Sequence, residues 1–190
     1  MKSSAYSGAR TDIVPYAKEL VSWPDAGCQP VAVGSCLSRA DQEWFGDWRT
    51  HLLRDTAEAE ALIADCGIRR SYCDPGLTRR PKTYGDFLLR LNACGMVRWT
   101  LQRHHRSTLG VFFVRKKGGK QRLILDTRLI NLWFREPPST RLSTAGAMSR
   151  VEYQGDGELY LASADIECAF YHLRVPEAFS DYFSLPEIKA

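Results

Sequence analysis

Two carboxylates near the end of the chain have the spacing of a metal site. In the stretch from Leu159 to Glu177, Asp165 and Glu167 are separated by a single residue. Both side chains therefore face the same way if this segment is a β-strand. Neighbouring carboxylate oxygens can hold a divalent cation. An edge strand with a solvated acidic face has the same spacing, and this stretch alone favours that plainer interpretation.

A basic segment upstream shifts the balance because its cations are concentrated at one turn. Two segments rich in β-branched and aromatic residues, 111–114 and 123–125, flank the sequence KGGK at 117–120. This pattern predicts a β-hairpin with glycine where the turn needs a positive φ. The turn and the adjoining strand ends carry five cationic residues: Arg115, Lys116, Lys117, Lys120 and Arg122. They are suited to binding a polyanion, although a nucleic-acid-binding ribbon without catalysis would have the same features.

The net charge of +4 hides a strong segregation along the chain. Residues 1–97 carry 12 basic and 12 acidic side chains, residues 98–150 carry 12 and 2, and residues 151–190 carry 2 and 8. A basic block that runs into an acidic one indicates a surface that attracts phosphate beside a site that gathers cations. Two solvated faces that neutralise each other are the alternative.

The composition bounds the class of protein. The 190 residues are 44% hydrophobic and 25% charged, which is ordinary for a globular chain with one substantial core. No apolar run is long enough to span a membrane, and the first residues contain no secretory signal. We therefore expect an intracellular protein, in the nucleus or the cytoplasm, that is not secreted. The six cysteines form no Cys-x-x-Cys pair, so reduced thiols are predicted rather than a zinc site.

Two helical regions precede the hairpin. Ser38 can cap a run of one or two helices in which Trp44 and Trp48 follow at helical spacing, and Gly67 can end the run. We interpret the two tryptophans as core residues rather than as platforms for stacking bases. A second helix is predicted from Thr83, as its capping residue, to Cys94.

Taken together, the second half of the chain resembles a reverse transcriptase. The sequence FFVRKKGGKQRLILDTRLIN, at 112–131, resembles the fingers hairpin of the retroelement enzymes. The sequence SADIECAFYHLRVPE, at 163–177, resembles the first catalytic motif of their palm. The two blocks stand in the family's order with a proline-rich connection between them. The resemblance covers roughly residues 85–185 and implies nothing about residues 1–80.

The resemblance assigns roles in the palm. Asp165 matches the family's first metal-binding aspartate, which holds Mg²⁺ for two-metal nucleotidyl transfer together with a later aspartate pair. Ile166 would contribute its backbone carbonyl to the metal. Phe170 matches the aromatic residue beneath the incoming sugar that excludes a 2′-hydroxyl, which implies a DNA product.

The resemblance also assigns roles in the fingers. Lys116 or Lys117, together with Arg122, matches the family's basic residues over the triphosphate, where they would stabilise charge in the transition state. Lys116, Lys117, Lys120 and Arg122 are all predicted to bind the nucleotide. Asp126 and Arg128 match positions that brace the fingers, and their spacing allows them to pair at the base of the hairpin. The implied partners are an RNA or DNA template with its primer, and a dNTP, with no membrane.

The implied fold is α+β. We expect N-terminal helices, then a fingers β-hairpin and a truncated antiparallel palm sheet. Residues 1–80 are predicted to be a helical or irregular region of unknown role. Residues 81–190 are predicted to be a partial reverse transcriptase domain, with the fingers at 98–150 and the start of the palm at 151–190.

The sequence departs from the family's pattern after Asp165. The only later aspartate is Asp181, so the family's aspartate pair is not in these residues. We therefore expect a downstream palm and thumb segment to be missing, and this chain to bind Mg²⁺ weakly and catalyse little. The main alternative is a non-catalytic nucleic-acid-binding module, or a relic, derived from a retroelement. A further alternative is an unrelated α+β domain with a basic surface.

Overall fold

The computed structural model describes residues 12–24, 29–100, 106–137, 139, 144–158, 160, 162, 164, 166 and 169–188. Within these residues the chain is a mixed α and β protein, which confirms the α+β class. The α-helices are α1 (Arg39–Gly46), α2 (Trp48–Leu52), α3 (Thr56–Asp65), α4 (Pro75–Thr78), α5 (Pro81–Ala93), α6 (Arg128–Asn131) and α7 (Ala145–Met148). The strands are β1 (Ile13–Val14), β2 (Val31–Ala32), β3 (Gly110–Arg115), β4 (Gln121–Asp126) and β5 (Leu173–Arg174). Short 3₁₀ segments form at Val33–Cys36, Ala169–His172 and Glu177–Asp181, and Lys117–Gly119 forms the turn between β3 and β4.

The strands form two small sheets. In the three-stranded sheet the order is β1-β3-β4, and both pairings are antiparallel. The register of the β3–β4 pair runs from Gly110 opposite Asp126 to Arg115 opposite Gln121. In the second sheet β2 and β5 are parallel, with Val31 opposite Leu173.

The β3–β4 hairpin closes as the turn residues predict. The Lys116 N–H donates to the Lys120 carbonyl over 2.7 Å, so three residues form the loop. Gly118 and Gly119 have φ values of 78° and 77°. A side chain at either position would meet its own backbone in this left-handed conformation, so glycine is the residue that fits.

The helix boundaries follow local capping chemistry, with one correction. The Ser38 hydroxyl accepts a hydrogen bond from the Asp41 N–H, as predicted for the start of α1. Gly67 follows α3 with a φ of 70°. The predicted cap at Thr83 is wrong because α5 begins at Pro81. Proline has the φ of the first helical turn and no N–H that would need a partner there, so Thr83 lies inside the helix.

One hydrophobic core lies between α5 and the three-stranded sheet. Phe87 of α5 and Phe113 of β3 are fully buried, and their rings meet edge to face with centroids 6.0 Å apart. Tyr16, which follows β1, packs on both rings. The other buried members are Val21, Leu77, Tyr84, Leu88, Leu91, Val111 and Leu123. The buried residues of α5 face the sheet, and this core supports the hairpin from one side.

A second core joins the first helices to the chain after the hairpin. Its buried members are Trp48, Ala59, Leu109, Ile130, Trp133, Phe179 and Tyr182. Trp48 of α2 packs on Phe179 with ring centroids 4.2 Å apart. Leu185 contacts both cores. Residues that are far apart in the sequence therefore share each core.

Contacts also cross position 80, where the sequence predicts a boundary. The Tyr72 N–H donates to Asp126 Oδ2 over 2.7 Å, and the Asp74 N–H donates to the Val111 carbonyl over 2.7 Å. Leu53 forms a single β-bridge with Phe134. Residues before position 80 therefore lie against the hairpin and the chain that follows it. The boundary and the fingers and palm assignments remain predictions.

Candidate nucleic-acid interface

The basic cluster surrounds the tip of the hairpin. Four of its side chains are exposed and the fifth, Lys116, is half-buried. None of the five forms an ion pair with another residue that the structure describes. Their mutual repulsion is thus uncompensated by those residues, and a bound polyanion would relieve it.

Strand alternation divides the cluster between the two faces of the sheet. Val114 pairs with Arg122, and the Lys116 N–H donates to the Lys120 carbonyl. The side chains of these four residues therefore lie on the same face of the hairpin. Phe113 and Leu123 have the other parity and are buried in the core. Lys116, Lys120 and Arg122 therefore project from the face that points away from the core.

Aromatic surface lies beside these cations. Phe112 shares their parity in β3, and the Tyr72 ring meets its ring edge to face with centroids 5.5 Å apart. Tyr72 is itself 40% exposed. In proteins that bind single-stranded nucleic acid, basic side chains contact the phosphate backbone of the nucleic acid, and its bases stack on exposed aromatic rings. We call Tyr72, Phe112, Lys116, Lys120 and Arg122 the outer face of the hairpin.

Asp126 and Arg128 form the predicted pair at the base of the hairpin. Arg128 Nε donates to Oδ1 and Nη2 donates to Oδ2, each over 2.8 Å. The carboxylate side chain is only 3% exposed whereas the guanidinium is 60% exposed. Hydrogen bonding to Arg128 holds the pKa of Asp126 at about 2, against the effect of burial, and the Tyr72 N–H lowers it further. The hydrogen bond from the Tyr72 N–H to Asp126 joins the end of β4 to the chain before α4.

Gln121 is a buried polar residue that the sequence reasoning missed. Its side-chain Oε1 accepts from the Ala17 N–H over 3.0 Å, and its Nε2 donates to the Pro15 carbonyl over 2.8 Å. The available signal was its parity, which is that of Leu123 and opposite to that of exposed Arg122. A glutamine at a core-facing position needs partners for its amide. Those partners could not be identified from the sequence because they lie about one hundred positions earlier.

The other half of the predicted site is described only in part. Asp165, the predicted catalytic and metal-binding residue, lies outside the described residues. Ile166 is 68% exposed, and Phe170 is 90% exposed in the turn before β5. Phe170 leads into β5, and β5 pairs with β2 rather than with the strands of the hairpin. Among the described residues, nothing brings Phe170 to the basic cluster.

The oxygen donors predicted for Mg²⁺ are of a suitable type but few in number. A carboxylate and a backbone carbonyl are ligands that Mg²⁺ accepts, but it prefers roughly six oxygens in octahedral geometry. Within the described ranges, no three His, Cys, Asp or Glu side chains are grouped so that they could hold a metal ion. Asp165 and Ile166 alone would therefore leave most of the coordination to water, to a substrate or to other carboxylates.

Comparisons with known proteins add no relative. No protein-family model matches the chain, and no curated protein or solved structure does so. In the described part of the chain, every helix is too short or too polar to cross a membrane.

Proposed function

We propose that this chain forms the fingers and the start of the palm of an RNA-directed DNA polymerase. The observation that carries the proposal is the hairpin, in which five cations that no described carboxylate neutralises are presented on a braced pair of strands. It occurs in the block that resembles the family's fingers. The geometry supports phosphate binding, and the resemblance supplies the reaction.

In this proposal the hairpin binds phosphate through two kinds of cation. Arg122 offers a planar fork that can donate two parallel hydrogen bonds to one phosphate. Lys116, Lys117 and Lys120 are compact charges on flexible stems, so they follow a phosphate whose position changes during the reaction. The buried Asp126 keeps Arg128 and the base of the hairpin in place. Positive charge is thereby held at the place where a bound triphosphate would gain negative charge in the transition state.

The palm segment would supply the remaining groups. Asp165 and the Ile166 carbonyl would offer oxygen ligands to Mg²⁺, which when bound lowers the pKa of an attacking hydroxyl and neutralises the leaving pyrophosphate. The exposed Phe170 ring has no protein cover among the described residues and could lie against a sugar. A 2′-hydroxyl would then collide with the ring.

The salt dependence of binding tests the phosphate-binding step. We expect the chain to bind a DNA primer annealed to an RNA template, and the affinity to fall steeply between about 50 and 200 mM salt. Replacing Lys116, Lys117, Lys120 and Arg122 with alanine should lower the slope of log K against log [salt] by about 3 to 4, because each phosphate contact contributes about 0.9.

A matched control separates the hairpin from net charge. The variant in which Arg69, Arg70, Arg79 and Arg80 are changed to alanine removes the same charge from exposed positions before α5. It should retain most of the slope if the hairpin is the binding site. If the two variants have equal slopes of log K against log [salt], or if the affinity of the native chain does not depend on salt, phosphate binding by the hairpin is refuted.

A second function is favoured by the outer face of the hairpin. Cations beside Tyr72 and Phe112 are sufficient to bind single-stranded nucleic acid without any reaction. The affinity of such a binding module for nucleic acid would not depend on the presence of nucleotides. A fingers domain should instead hold the primer-template more tightly when Mg²⁺ and the dNTP complementary to the next template base are present. Fluorescence anisotropy with matched and mismatched dNTPs distinguishes the two functions.

A further inference from the structure

Residues 15–22 meet the free edge of β4 at one residue, Gln121. The Gln121 N–H donates to the Leu20 carbonyl over 2.6 Å, and its carbonyl accepts from the Ser22 N–H over 3.0 Å. Its amide side chain adds the bonds to Ala17 and Pro15. Four hydrogen bonds thus join this early segment to a single strand position, which is 5% exposed.

That strand position separates two cations of the hairpin. Lys120 and Arg122 flank Gln121, and both are exposed. Because the backbone and side chain of Gln121 are both fixed, the direction in which each neighbour leaves the strand is fixed as well. A twist of β4 at Gln121 would break the two bonds of its side-chain amide and leave four polar groups without partners. Because that loss costs free energy, the strand resists twisting at this point.

A second attachment holds the same early segment from its other side. The Tyr16 N–H donates to Asp74 Oδ2 over 2.7 Å, and the Asp74 N–H donates to the Val111 carbonyl. The Tyr16 ring packs on Phe113 with centroids 4.9 Å apart. The segment is therefore bonded to both strands of the hairpin, through Val111 and Asp74 on one side and through Gln121 on the other.

We propose that Gln121 is a positioning residue and that Pro15–Ser22 braces the hairpin so that Lys120 and Arg122 point together at a phosphate backbone. This inference rests on the proposed function of the hairpin. It gives the early part of the chain a role in nucleic-acid binding without any contact between that part and the ligand.

Replacing Gln121 with methionine tests the proposal. Methionine keeps the length and most of the volume of the side chain but cannot bond to Ala17 or Pro15. Hydrogen exchange read by mass spectrometry should show lost protection at 15–22, and the slope of log K against log [salt] should fall by about 1 to 2. Gln42→Leu is the matched control, since Gln42 is exposed on α1 and its amide donates to the nearby Leu37 carbonyl.

The salt slope distinguishes positioning from lost stability. A variant that is merely less stable binds with a smaller active fraction, which shifts the curve without changing its slope. Gln121→Asn, which is too short to reach both partners, should give an intermediate slope if it folds better than the methionine variant. An unchanged salt slope together with lost exchange protection would overturn the positioning role and leave the proposed function intact.

Two other outcomes separate the proposals. If the native chain binds no primer-template, the proposed function fails. If hydrogen exchange at residues 15–22 is unchanged in the methionine variant, the bracing role is refuted whatever the binding result.

Discussion

Asp126 illustrates why one carboxylate at the base of a hairpin can matter for the whole strand. It accepts hydrogen bonds from the Arg128 side chain and from the Tyr72 N–H while its own side chain is almost fully buried. A buried carboxylate is tolerated only with such partners, and they favour its charged form. Its pKa therefore falls from an ordinary value of 3.8 to about 2.

The shift predicts how the free energy of unfolding depends on acid. Because the pKa is lower in the folded chain, the ionised form stabilises folding by about 2 kcal/mol above about pH 4. That contribution is lost as the pH falls from about 4 to about 2. Urea unfolding at a series of pH values should show that Asp126→Asn is less stable near neutral pH and has a flatter acid dependence over this window.

The control for this experiment is an exposed aspartate. Asp156→Asn changes a residue in an exposed bend and should keep the acid dependence of the native chain. If Asp126→Asn lost stability with acid as steeply as the native chain does, the Arg128 pair would not be the source of the effect.

Trp44 and Trp48 show where helical spacing gives a wrong prediction of burial. Both are predicted to be core residues, and Trp48 is buried. Trp44 is 47% exposed and stacks on His51 with ring centroids 4.9 Å apart. The reason is that α1 ends at Gly46 and α2 begins at Trp48, with Asp47 outside helical geometry between them. Spacing of four residues places side chains on one face only within a continuous helix.

At the scale of elements, local chemistry was predictable and distant pairing was not. The turn glycines and β-rich flanks predict the β3–β4 hairpin, since a hairpin depends on neighbouring residues. The antiparallel pairing of β1 with β3 joins residues about one hundred positions apart, and no local signal specifies such a partner. The same holds for the segment that Gln121 binds.

Gly110 gives a prediction about how closely these distant segments approach. An added Cβ at Gly110 would lie 2.7 Å from the carbonyl carbon of Tyr72 and 2.8 Å from its nitrogen. Backbone cannot move aside as a side chain can, so we expect Gly110→Ala to lower the free energy of unfolding by roughly 1 to 3 kcal/mol. Urea or thermal unfolding measures the loss.

Gly85→Ala is the matched control for that substitution. Gly85 lies inside α5, where the nearest atom that an added Cβ would meet is 4.0 Å away. Alanine should therefore stabilise the helix by up to about 1 kcal/mol. Opposite signs for the two glycines are expected. If Gly110→Ala were neutral, the close approach of Tyr72 to β3 would be wrong.

At the scale of the whole molecule, the sequence predicted the β3–β4 hairpin better than the segment around Asp165. The hairpin, its glycines and the Asp126–Arg128 pair occur where the residues place them. The segment around Asp165 is predicted to be a strand, yet the described members Tyr160, Ala162 and Ala164 lie in no strand and are exposed. An isolated strand has no partner for its backbone groups, and its apolar pattern cannot supply one.

Under the proposed polymerase function, the carboxylates of these 190 residues limit the transfer reaction. Two-metal transfer needs several oxygen ligands around each ion, and Asp165 is the residue that matches one of them. Asp181, in the turn Glu177–Asp181, is the only aspartate after Asp165 in these residues, so it cannot supply the family's later pair by itself. Its carbonyl also accepts from the Arg106 N–H over 2.8 Å.

We therefore expect the 190-residue chain to bind a primer-template but not to extend it. Incubation with Mg²⁺, all four dNTPs and a labelled primer should give no more extension than Asp165→Asn does, while the salt slope of binding stays that of the native chain. Binding and extension separate in this way because the hairpin needs only its own cations, whereas the transfer step needs metal ligands in addition. Extension by the native chain that Asp165→Asn abolishes would show that Asp165 works with ligands other than those the family uses.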